Sequence, residues 1–233
     1  MDASHPRRIR SFVRRPGRLT TGQRRALDEL MPKYGVDPAA GRIDLETVFQ
    51  RNARRVLDIG FGDGGALATT SIRFPDIDYL GVEVHEPGIG HLLVALERAA
   101  IENVRVIQRD AVDVIAQMLP EGAFDAVNLF FPDPWPKKRH HKRRLVQPDF
   151  VRTVAAQLKP QGLFHIATDW ANYAEHIRDV MAESNEFDEL SVDQADAALA
   201  FRPPTKFEAR GLKLGHSVVD YYYLVRDGDG RSL

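Results

Sequence analysis

From residue 54 onward, short β-rich runs alternate with segments of helical spacing. The β-rich runs are RVLDIGF (55–61), YLGVEV (79–84), VRVIQ (104–108), FDAVNLFF (124–131) and LFHIATD (163–169). Helices are predicted between them, for example over Ile89–Ala100 and from Pro148 to Leu158, where Pro160-Gln161-Gly162 ends the helical pattern. This alternation predicts an α/β fold, with a mainly parallel sheet and helices on both of its faces.

The two ends of the chain depart from the alternation. The runs FDELSV (187–192) and SVVDYYYLVR (217–226) have no convincing helical segment between them, which favours an antiparallel end to the sheet. Residues 1–50 lack clean periodicity, and we predict an Arg-rich arm, a short helix around Gln23–Met31 and then a loop. We therefore divide the chain into an N-terminal segment, residues 1–50, and one domain, residues 51–233, whose size suits a single core.

Charge is segregated along a chain whose net charge is only −1. Residues 7–25 carry eight arginines and no acid, and the run KKRHHKRR (137–144) holds six fixed positive charges. Residues 183–196 instead carry six acids and no base. Such segregation can give a near-neutral protein a surface for nucleic acid. Either basic run alone is explained equally well as ordinary solvated surface.

Two absences limit the possible chemistry. No apolar run approaches the roughly 18 residues of a membrane span, and the N-terminus has no apolar stretch typical of a secretory signal. We therefore expect a cytoplasmic protein without a membrane partner. The chain has no cysteine, which excludes disulfides, thiolate zinc sites and a cysteine nucleophile. We expect no bound metal.

The strongest local motif is VLDIGFGDGG (56–65), in which an apolar strand enters a glycine-rich turn. Gly60, Gly62 and Gly65 also satisfy the fingerprint of dinucleotide-binding proteins, so an NAD-dependent oxidoreductase is one alternative. A dinucleotide, however, places its pyrophosphate at the start of the following helix, where Asp63 would repel it. S-adenosylmethionine has no phosphate and carries a sulfonium and an ammonium, which suit Asp58 and a nearby acid. The turn therefore favours a methyltransferase.

Two further acids follow the next two strands. Glu83 closes the second strand, where it can accept both ribose hydroxyls, and Asp110 closes the third, where it can accept from the adenine amino group. Each acid alone could be a solvated strand end, but the carboxyl ends of consecutive strands border one crevice. We predict a cofactor site built from Asp58, Gly60, Glu83 and Asp110. A non-catalytic RNA-binding protein, the second alternative, has no need of these acids.

The segment FFPDPWPK (130–137) follows the fourth strand and leads directly into the basic run 137–144. Its prolines fix φ and hold Asp133 and Trp135 in place. Splayed-out RNA bases are bound by stacking and edge hydrogen bonds, while cations bind phosphates. The segment is therefore the predicted substrate site. The alternative is a proline-rich loop beside a solvated charge run, which the adjacency of the two features disfavours.

The residue types at this loop also restrict the acceptor atom. C5 methylation of a pyrimidine usually needs a cysteine, which is absent, and the loop resembles only loosely the motif that methylates exocyclic amines. A ring nitrogen such as guanine N7 presents a lone pair and has no proton to lose, so it needs positioning more than a base. Asp133 would stabilise the positive charge that develops on the purine.

These motifs together closely resemble the bacterial tRNA (guanine-N7-)-methyltransferase family. The resemblance covers about residues 54–226 and rests on FPDPWPKKRHHKRR (131–144), on Thr168-Asp169 with Tyr173, and on TKFE (205–208) with Arg210-Gly211 and Gly215-His216. It implies methyl transfer from S-adenosylmethionine to N7 of guanine 46 in the tRNA variable loop. It also implies a Rossmann-like class I methyltransferase fold, with seven strands and one antiparallel strand, and no obligate protein partner.

The same resemblance assigns roles to individual residues. It implies that Asp133 is the active-site acid and binds the cofactor together with Asp58, Gly60, Glu83 and Asp110. The substrate-binding residues that it implies are Lys137, Asp169, Thr205, Lys206, Phe207 and Glu208. Many members have Glu where this chain has Asp58, and the Asp side chain is one methylene shorter. The Arg-rich arm has a counterpart in the family but cannot be matched residue by residue.

Overall fold

The computed structural model describes residues 17–37, 39, 41–205, 208 and 217–226, which form one seven-stranded sheet flanked by helices. The strands are β1 (Arg54–Ile59), β2 (Ile77–Glu83), β3 (Val104–Gln108), β4 (Phe124–Phe130), β5 (Leu158–Thr168), β6 (Phe187–Leu190) and β7 (Val219–Val225). Their order in the sheet is β3-β2-β1-β4-β5-β7-β6. The pairings among β1 to β5 are parallel, and β7 is antiparallel to β5 and β6. The predicted α/β class and the single antiparallel strand are confirmed.

Helices cover both faces of the sheet. They are α1 (Thr21–Tyr34), α2 (Leu45–Phe49), α3 (Gly65–Arg73), α4 (Glu86–Arg98), α5 (Ala111–Gln117), α6 (Pro148–Gln157) and α7 (Ala171–Ala182). Successive strand residues point to opposite faces, and Val56 and Leu57 of β1 accordingly belong to two separate hydrophobic clusters. Val56 packs in the cluster that includes α1, α3 and α4, whereas Leu57 packs with α2, α5, α6 and α7.

The N-terminal segment contains more structure than the sequence predicted. Helix α1 starts two residues earlier than expected because Thr20 and Gln23 form a capping box, and it continues to Tyr34. The expected loop before residue 50 contains α2, which is capped by Asp44. Tyr34 is fully buried, and Val36 N–H donates to the Val106 carbonyl (2.9 Å). Helix α1 also packs along α4, so these residues share the core of the sheet.

Strand β5 begins earlier than predicted. Phe124 of β4 pairs with Leu158, and the next pairing joins Ala126 to Leu163, so residues 159–162 form an irregularity inside the strand. Gln161 has φ of 61°, a left-handed conformation that accommodates this extra length. The predicted helix does end here, at Gln157, one residue before its expected end, but residues 160–162 lie inside β5 and not in a loop before it.

The start of α4 packs closely against the glycine-rich turn after β1. A Cβ atom on Gly88 would lie 2.0 Å from the Gly62 carbonyl oxygen, and one on Gly64 would lie 2.5 Å from Leu92 Cβ. Gly64 also has φ of 73°, a backbone conformation in which residues other than glycine are strained. The turn is therefore fixed by contact between two backbones.

We predict that Gly88→Ala lowers the free energy of unfolding by about 1–3 kcal/mol, because the added methyl must displace the backbone of Gly62. Gly22→Ala in α1 is the control, since its Cβ would meet nothing within 4 Å. Urea unfolding followed by circular dichroism measures both variants. Equal stability of Gly88→Ala and the parent chain would mean that the turn moves freely.

Candidate active site

A cavity of about 270 Å3 opens at the carboxyl ends of β1 and β4. Asp58 lines it together with much of the glycine-rich turn, and two phenylalanines and a loop after residue 203 complete its wall. The lining residues are Asp58, Gly60, Phe61, Gly62, Asp63, Gly65, Ala66, Leu67, Phe130, Phe131, Pro204 and Thr205. The structure thus brings three predicted site residues, Asp58, Gly60 and Thr205, to one cavity.

Asp58 is a buried acid, with only 5% of its surface exposed. Burial, and then the negative charge of Glu83, raise the pKa of Asp58 to about 7. Gly60 and Gly62, which follow it, have φ of 71° and 62°, and a Cβ atom on either would meet nothing within 4 Å. Glycine is needed at these positions for the backbone conformation, and the open side faces the cavity.

The Glu83 carboxylate joins the turn to the entrance of α4. Its Oε2 accepts a hydrogen bond from Gly62 N–H (3.0 Å), and its Oε1 accepts from Val84 N–H (2.6 Å) and His85 N–H (2.9 Å). The sequence predicted a ribose-binding acid here and gave no sign of this bracing role. Glu83 does not line the cavity itself, but it lies close enough to Asp58 to perturb its pKa.

Asp110 lies two residues beyond β3 and caps α5, where its Oδ1 accepts from Val112 N–H (3.0 Å). It lies at the same sheet edge as Asp58 and Glu83 but outside the lining of the cavity. The helix cap explains why an acid occurs at this position. A role in adenine binding stays a prediction.

The loop after β4 is held in an unusual conformation. Phe131 and Trp135 have φ of 52° and 44°, in the left-handed region that residues other than glycine rarely adopt. Such a conformation persists only where surrounding contacts enforce it. Phe131 N–H donates to the Ala167 carbonyl on β5 (2.8 Å), which fixes the start of the loop.

Arg144 fixes the other end of this loop from inside the protein. Only 3% of its surface is exposed. Its Nε donates to the Pro134 carbonyl (3.0 Å), and Nη2 donates to Oδ1 of Asn172 on α7 (2.7 Å). The guanidinium also lies 4.9 Å from the ring centre of Tyr173. The expectation that Arg144 binds phosphate with the rest of the basic run was wrong, because these contacts bury it.

Asp133 is exposed on the loop, two residues beyond Phe131 of the cavity wall. Burial is the main cause that raises the pKa of Tyr173 to about 12, and the charge of Asp133 adds to that rise. The carboxylate therefore lies near this buried ring, whose hydroxyl accepts from Val146 N–H (3.2 Å).

The remaining basic residues of the run face solvent. A 3-10 helix spans Lys138–Arg143 and starts after Lys137, whose carbonyl accepts from His140 N–H (2.7 Å). The Arg143 guanidinium lies 4.8 Å from the Trp135 ring centre. Exposed cations are Lys137, Lys138, Arg139, Lys142 and Arg143.

The other predicted substrate residues lie on two segments. Asp169 follows β5 and is half-buried. Thr205 Oγ1 accepts from Glu208 N–H (3.1 Å), and the Glu208 carboxylate binds Arg202 Nη1 (2.7 Å). Lys206, Phe207 and the motif residues 210, 211, 215 and 216 lie outside the described residues, as does most of the Arg-rich arm. Arg202 begins the polar loop that the sequence marks as a candidate ligand segment, but nothing in the sequence indicates that it pairs with Asp220.

No helix in the described ranges is both long and apolar enough to cross a membrane. Within those ranges, no group of three His, Cys, Asp or Glu side chains is arranged to hold a metal ion.

Comparison with known proteins identifies the family. A family model described as a putative methyltransferase matches residues 52–221. The tRNA (guanine-N(7)-)-methyltransferase of Alkalilimnicola ehrlichii is 52% identical over 230 residues, which cover 98% of this chain and 97% of the relative. That of Halorhodospira halophila is 52% identical over 225 residues, covering 96% of this chain and 97% of the relative. The chain belongs to the tRNA (guanine-N7-)-methyltransferase family.

Solved structures agree on the fold of this tRNA (guanine-N7-)-methyltransferase family member. A 16S rRNA methyltransferase is similar with a TM-score of 0.55 and 14% identity, over 78% of this chain and 93% of that one. The 16S rRNA (adenine(1408)-N(1))-methyltransferase from Catenulisporales acidiphilia was solved with its cosubstrate S-adenosylmethionine. It is similar with a TM-score of 0.52 and 16% identity, over 84% of this chain and 95% of that one. The fold is that of Rossmann-like class I methyltransferases.

We predict that Arg144→Met lowers the free energy of unfolding by about 1.5–3 kcal/mol, because it leaves the Pro134 and Asn172 oxygens without their charged donor. Arg143→Met is the matched control, since Arg143 is exposed and should change stability by less than about 0.5 kcal/mol. Thermal and urea unfolding measure both. A stable Arg144→Met variant would contradict the internal role of Arg144.

Proposed function

We propose that this protein transfers a methyl group from S-adenosylmethionine to N7 of a guanine in tRNA, at position 46 of the variable loop, giving 7-methylguanosine. The observation that carries the proposal is the placement of a buried acid, Asp58, in a cavity that shares the wall residue Phe131 with the Asp133 loop. The exposed cations begin at Lys137, four residues beyond Asp133. Membership of the family supports the same reaction.

The hydrogen bonds of the glycine-rich turn favour a cationic ligand. Gly62 N–H donates to Glu83 and Gly65 N–H donates to Asp63 Oδ1 (3.0 Å each). A pyrophosphate binds backbone N–H groups at this position in dinucleotide-binding proteins. Because carboxylates already occupy two of these donors, the turn would repel a dinucleotide, and the oxidoreductase alternative is disfavoured.

The residues around the cavity fit S-adenosylmethionine. Its sulfonium and ammonium would meet the negative environment of Asp58 and Glu83, while the open backbone at Gly60 allows close approach. Asp110 would lie towards the adenine. When bound, this cosubstrate supplies the methyl group. A protein that only binds RNA would gain nothing from a buried acid with a raised pKa.

The chemistry at guanine N7 requires little from the protein beyond placement. The N7 atom has an in-plane lone pair and no proton to lose, so Asp133 is not needed as a base. Instead, Asp133 would orient the purine and stabilise the positive charge that forms on it. Its exposed position leaves the carboxylate accessible to a base that enters from solvent.

The surroundings of the loop fit tRNA as the substrate. Trp135 would offer its ring for base stacking, while the exposed cations that end with Arg143 would bind phosphates. We propose that Asp169, Thr205, Lys206, Phe207 and Glu208 add further substrate contacts. We place the enzyme in the cytoplasm, where tRNA is processed, and we infer no obligate protein partner and no membrane or metal requirement.

The pKa of Asp58 leads to a prediction about binding and pH. A cationic cosubstrate favours the charged carboxylate, so its binding lowers the pKa of Asp58 from about 7. Protons should then be released on binding near pH 7, and affinity should fall by up to about tenfold for each pH unit below that. Calorimetry in buffers of different ionisation heat measures the protons. Asp58→Asn should abolish the release, and a pH-independent affinity would exclude direct contact.

A second prediction concerns the charge of Asp133. Asp133→Asn keeps the shape of the side chain and removes its charge, so we expect the single-turnover rate to fall by about 10²–10³ with little change in tRNA affinity. Asp188→Asn, an exposed acid on β6, is the control. If Asp133→Asn retains the parent rate while Asp133→Ala is inactive, hydrogen bonding and shape matter and the charge does not.

The function itself is tested by methyl transfer from tritiated S-adenosylmethionine onto tRNA, followed by nucleoside analysis. The proposal requires label in 7-methylguanosine, and tRNA with adenosine substituted at position 46 must not accept it. Label in another nucleoside would overturn the assignment of the acceptor atom. Binding of tRNA without any transfer would support the non-catalytic alternative.

A further inference from the structure

Arg202 lies at the junction of three segments that meet beside the cavity. Only 8% of its side chain is exposed. Its Nε and Nη2 donate to the two carboxylate oxygens of Asp220 on β7, both at 2.8 Å. Its Nη1 and Nη2 donate to the Glu208 carboxylate at 2.7 and 3.3 Å. One guanidinium therefore links the loop after residue 203 to β7, next to the edge strand β6.

The same guanidinium covers the aromatic wall of the cavity. Its central carbon lies 5.9 Å from the ring centre of Phe130 and 5.4 Å from that of Phe131. Phe131 and Thr205 line the cavity from two different segments, and Arg202 contacts the first directly and the second through Glu208. Phe131 also holds a left-handed backbone two residues before Asp133. Contacts on its ring therefore influence where the loop points.

The charges of this cluster are fixed. Burial would lower the pKa of Arg202, but its hydrogen bonds to Asp220 and Glu208 raise it. Burial would likewise raise the pKa of Asp220, but hydrogen bonds from Arg202 and His165 hold it below its usual range. Burial lowers the pKa of His165, so its neutral ring donates from Nε2 to Asp220 (2.8 Å).

One cation and two carboxylates leave this cluster with a net negative charge. This balance matters because the proposed cosubstrate is cationic, and an unneutralised guanidinium behind Phe131 would repel it. Arg202 can thus act as a rigid planar connector without an electrostatic penalty in the cavity. Lys in its place would keep the charge but lose the two-sided hydrogen bonding.

We propose that Arg202 is a positioning residue for methyl transfer. It fixes the position of Phe131 relative to the segment that contains Thr205, and it thereby fixes the orientation of the loop that carries Asp133. Arg202 itself touches neither the base nor the methyl group. The inference rests on the proposed function for its kinetic consequence, whereas its structural consequence, the fixed loop, is independent of the substrate.

The molecule contains a matched ion pair that contacts no residue of the cavity wall. Arg51 Nη2 lies 2.6 Å from Oδ1 of Asp78, a fully buried acid at the start of β2. This pair lies at the amino end of the sheet, away from the cavity. Arg51→Met therefore removes an exposed arginine that pairs with a buried acid, without touching the contacts of Arg202.

The test compares Arg202→Met with Arg51→Met in the full chain. We expect Arg202→Met to lower the single-turnover methylation rate by about 10²-fold, as a small misplacement of reacting groups does. The dissociation constant for S-adenosylmethionine should change by less than about threefold, because Arg202 does not line the cavity itself. Arg51→Met should lose stability and keep its rate. Arg202→Lys, which is expected to fold, should fall between Arg202→Met and the parent.

A second readout does not depend on catalysis. Amide hydrogen exchange over residues 130–136 should accelerate in Arg202→Met and Arg202→Lys but not in Arg51→Met. An unchanged rate and unchanged exchange in both Arg202 variants would overturn the proposal, as would equal losses of rate in Arg51→Met. If the parent chain fails to methylate tRNA, the proposed function fails, while the exchange result still decides whether Arg202 holds the loop.

Discussion

The proposed cofactor site depends on the three backbone hydrogen bonds that the Glu83 carboxylate accepts. They join the turn after β1 to the entrance of α4, at the place where Gly88 lets the two backbones touch. The same bonds place a fixed negative charge beside Asp58 and use an N–H group that a phosphate would need. A single carboxylate thus shapes the turn and selects the charge of its ligand. The fold type alone does neither, since dinucleotide-binding proteins share it.

Arginines serve two different purposes around the Asp133 loop. Arg144 and Arg202 point inward, and each joins the loop region to another element, α7 in one case and β7 in the other. Arg143 and its neighbours in the 3-10 helix point outward. An inward guanidinium can satisfy several carbonyl or carboxylate oxygens in fixed directions, whereas an outward one keeps its freedom for phosphates. A positively charged residue in this region is therefore not necessarily an RNA-binding residue.

Much of the architecture could be predicted because it depends on local patterns. Apolar runs and turns gave the central strands to within a few residues, and strand ends located Asp58 and Glu83. The missed features depend on contacts between distant residues. Arg202 meets Asp220, and Arg144 meets Asn172, across 18 and 28 residues with no periodic signal. The early start of β5 likewise depends on its neighbour β4, because no local propensity indicates pairing at Leu158. The roles of the individual site residues rest on family resemblance.

Strand β6 is only four residues long and forms one edge of the sheet, three strands away from β4. Its exposed Asp188 and Glu189 discourage edge-to-edge pairing with other sheets. Asp188 is paired with Arg226 (2.8 Å), but residues 183–196, which include β6, carry six acids and no base, whereas the exposed cations follow β4. A polyanion that approaches by diffusion would feel repulsion from one side and attraction to the other before any contact forms. The acidic edge would therefore orient the incoming nucleic acid towards the cavity and increase the rate of productive association at low ionic strength.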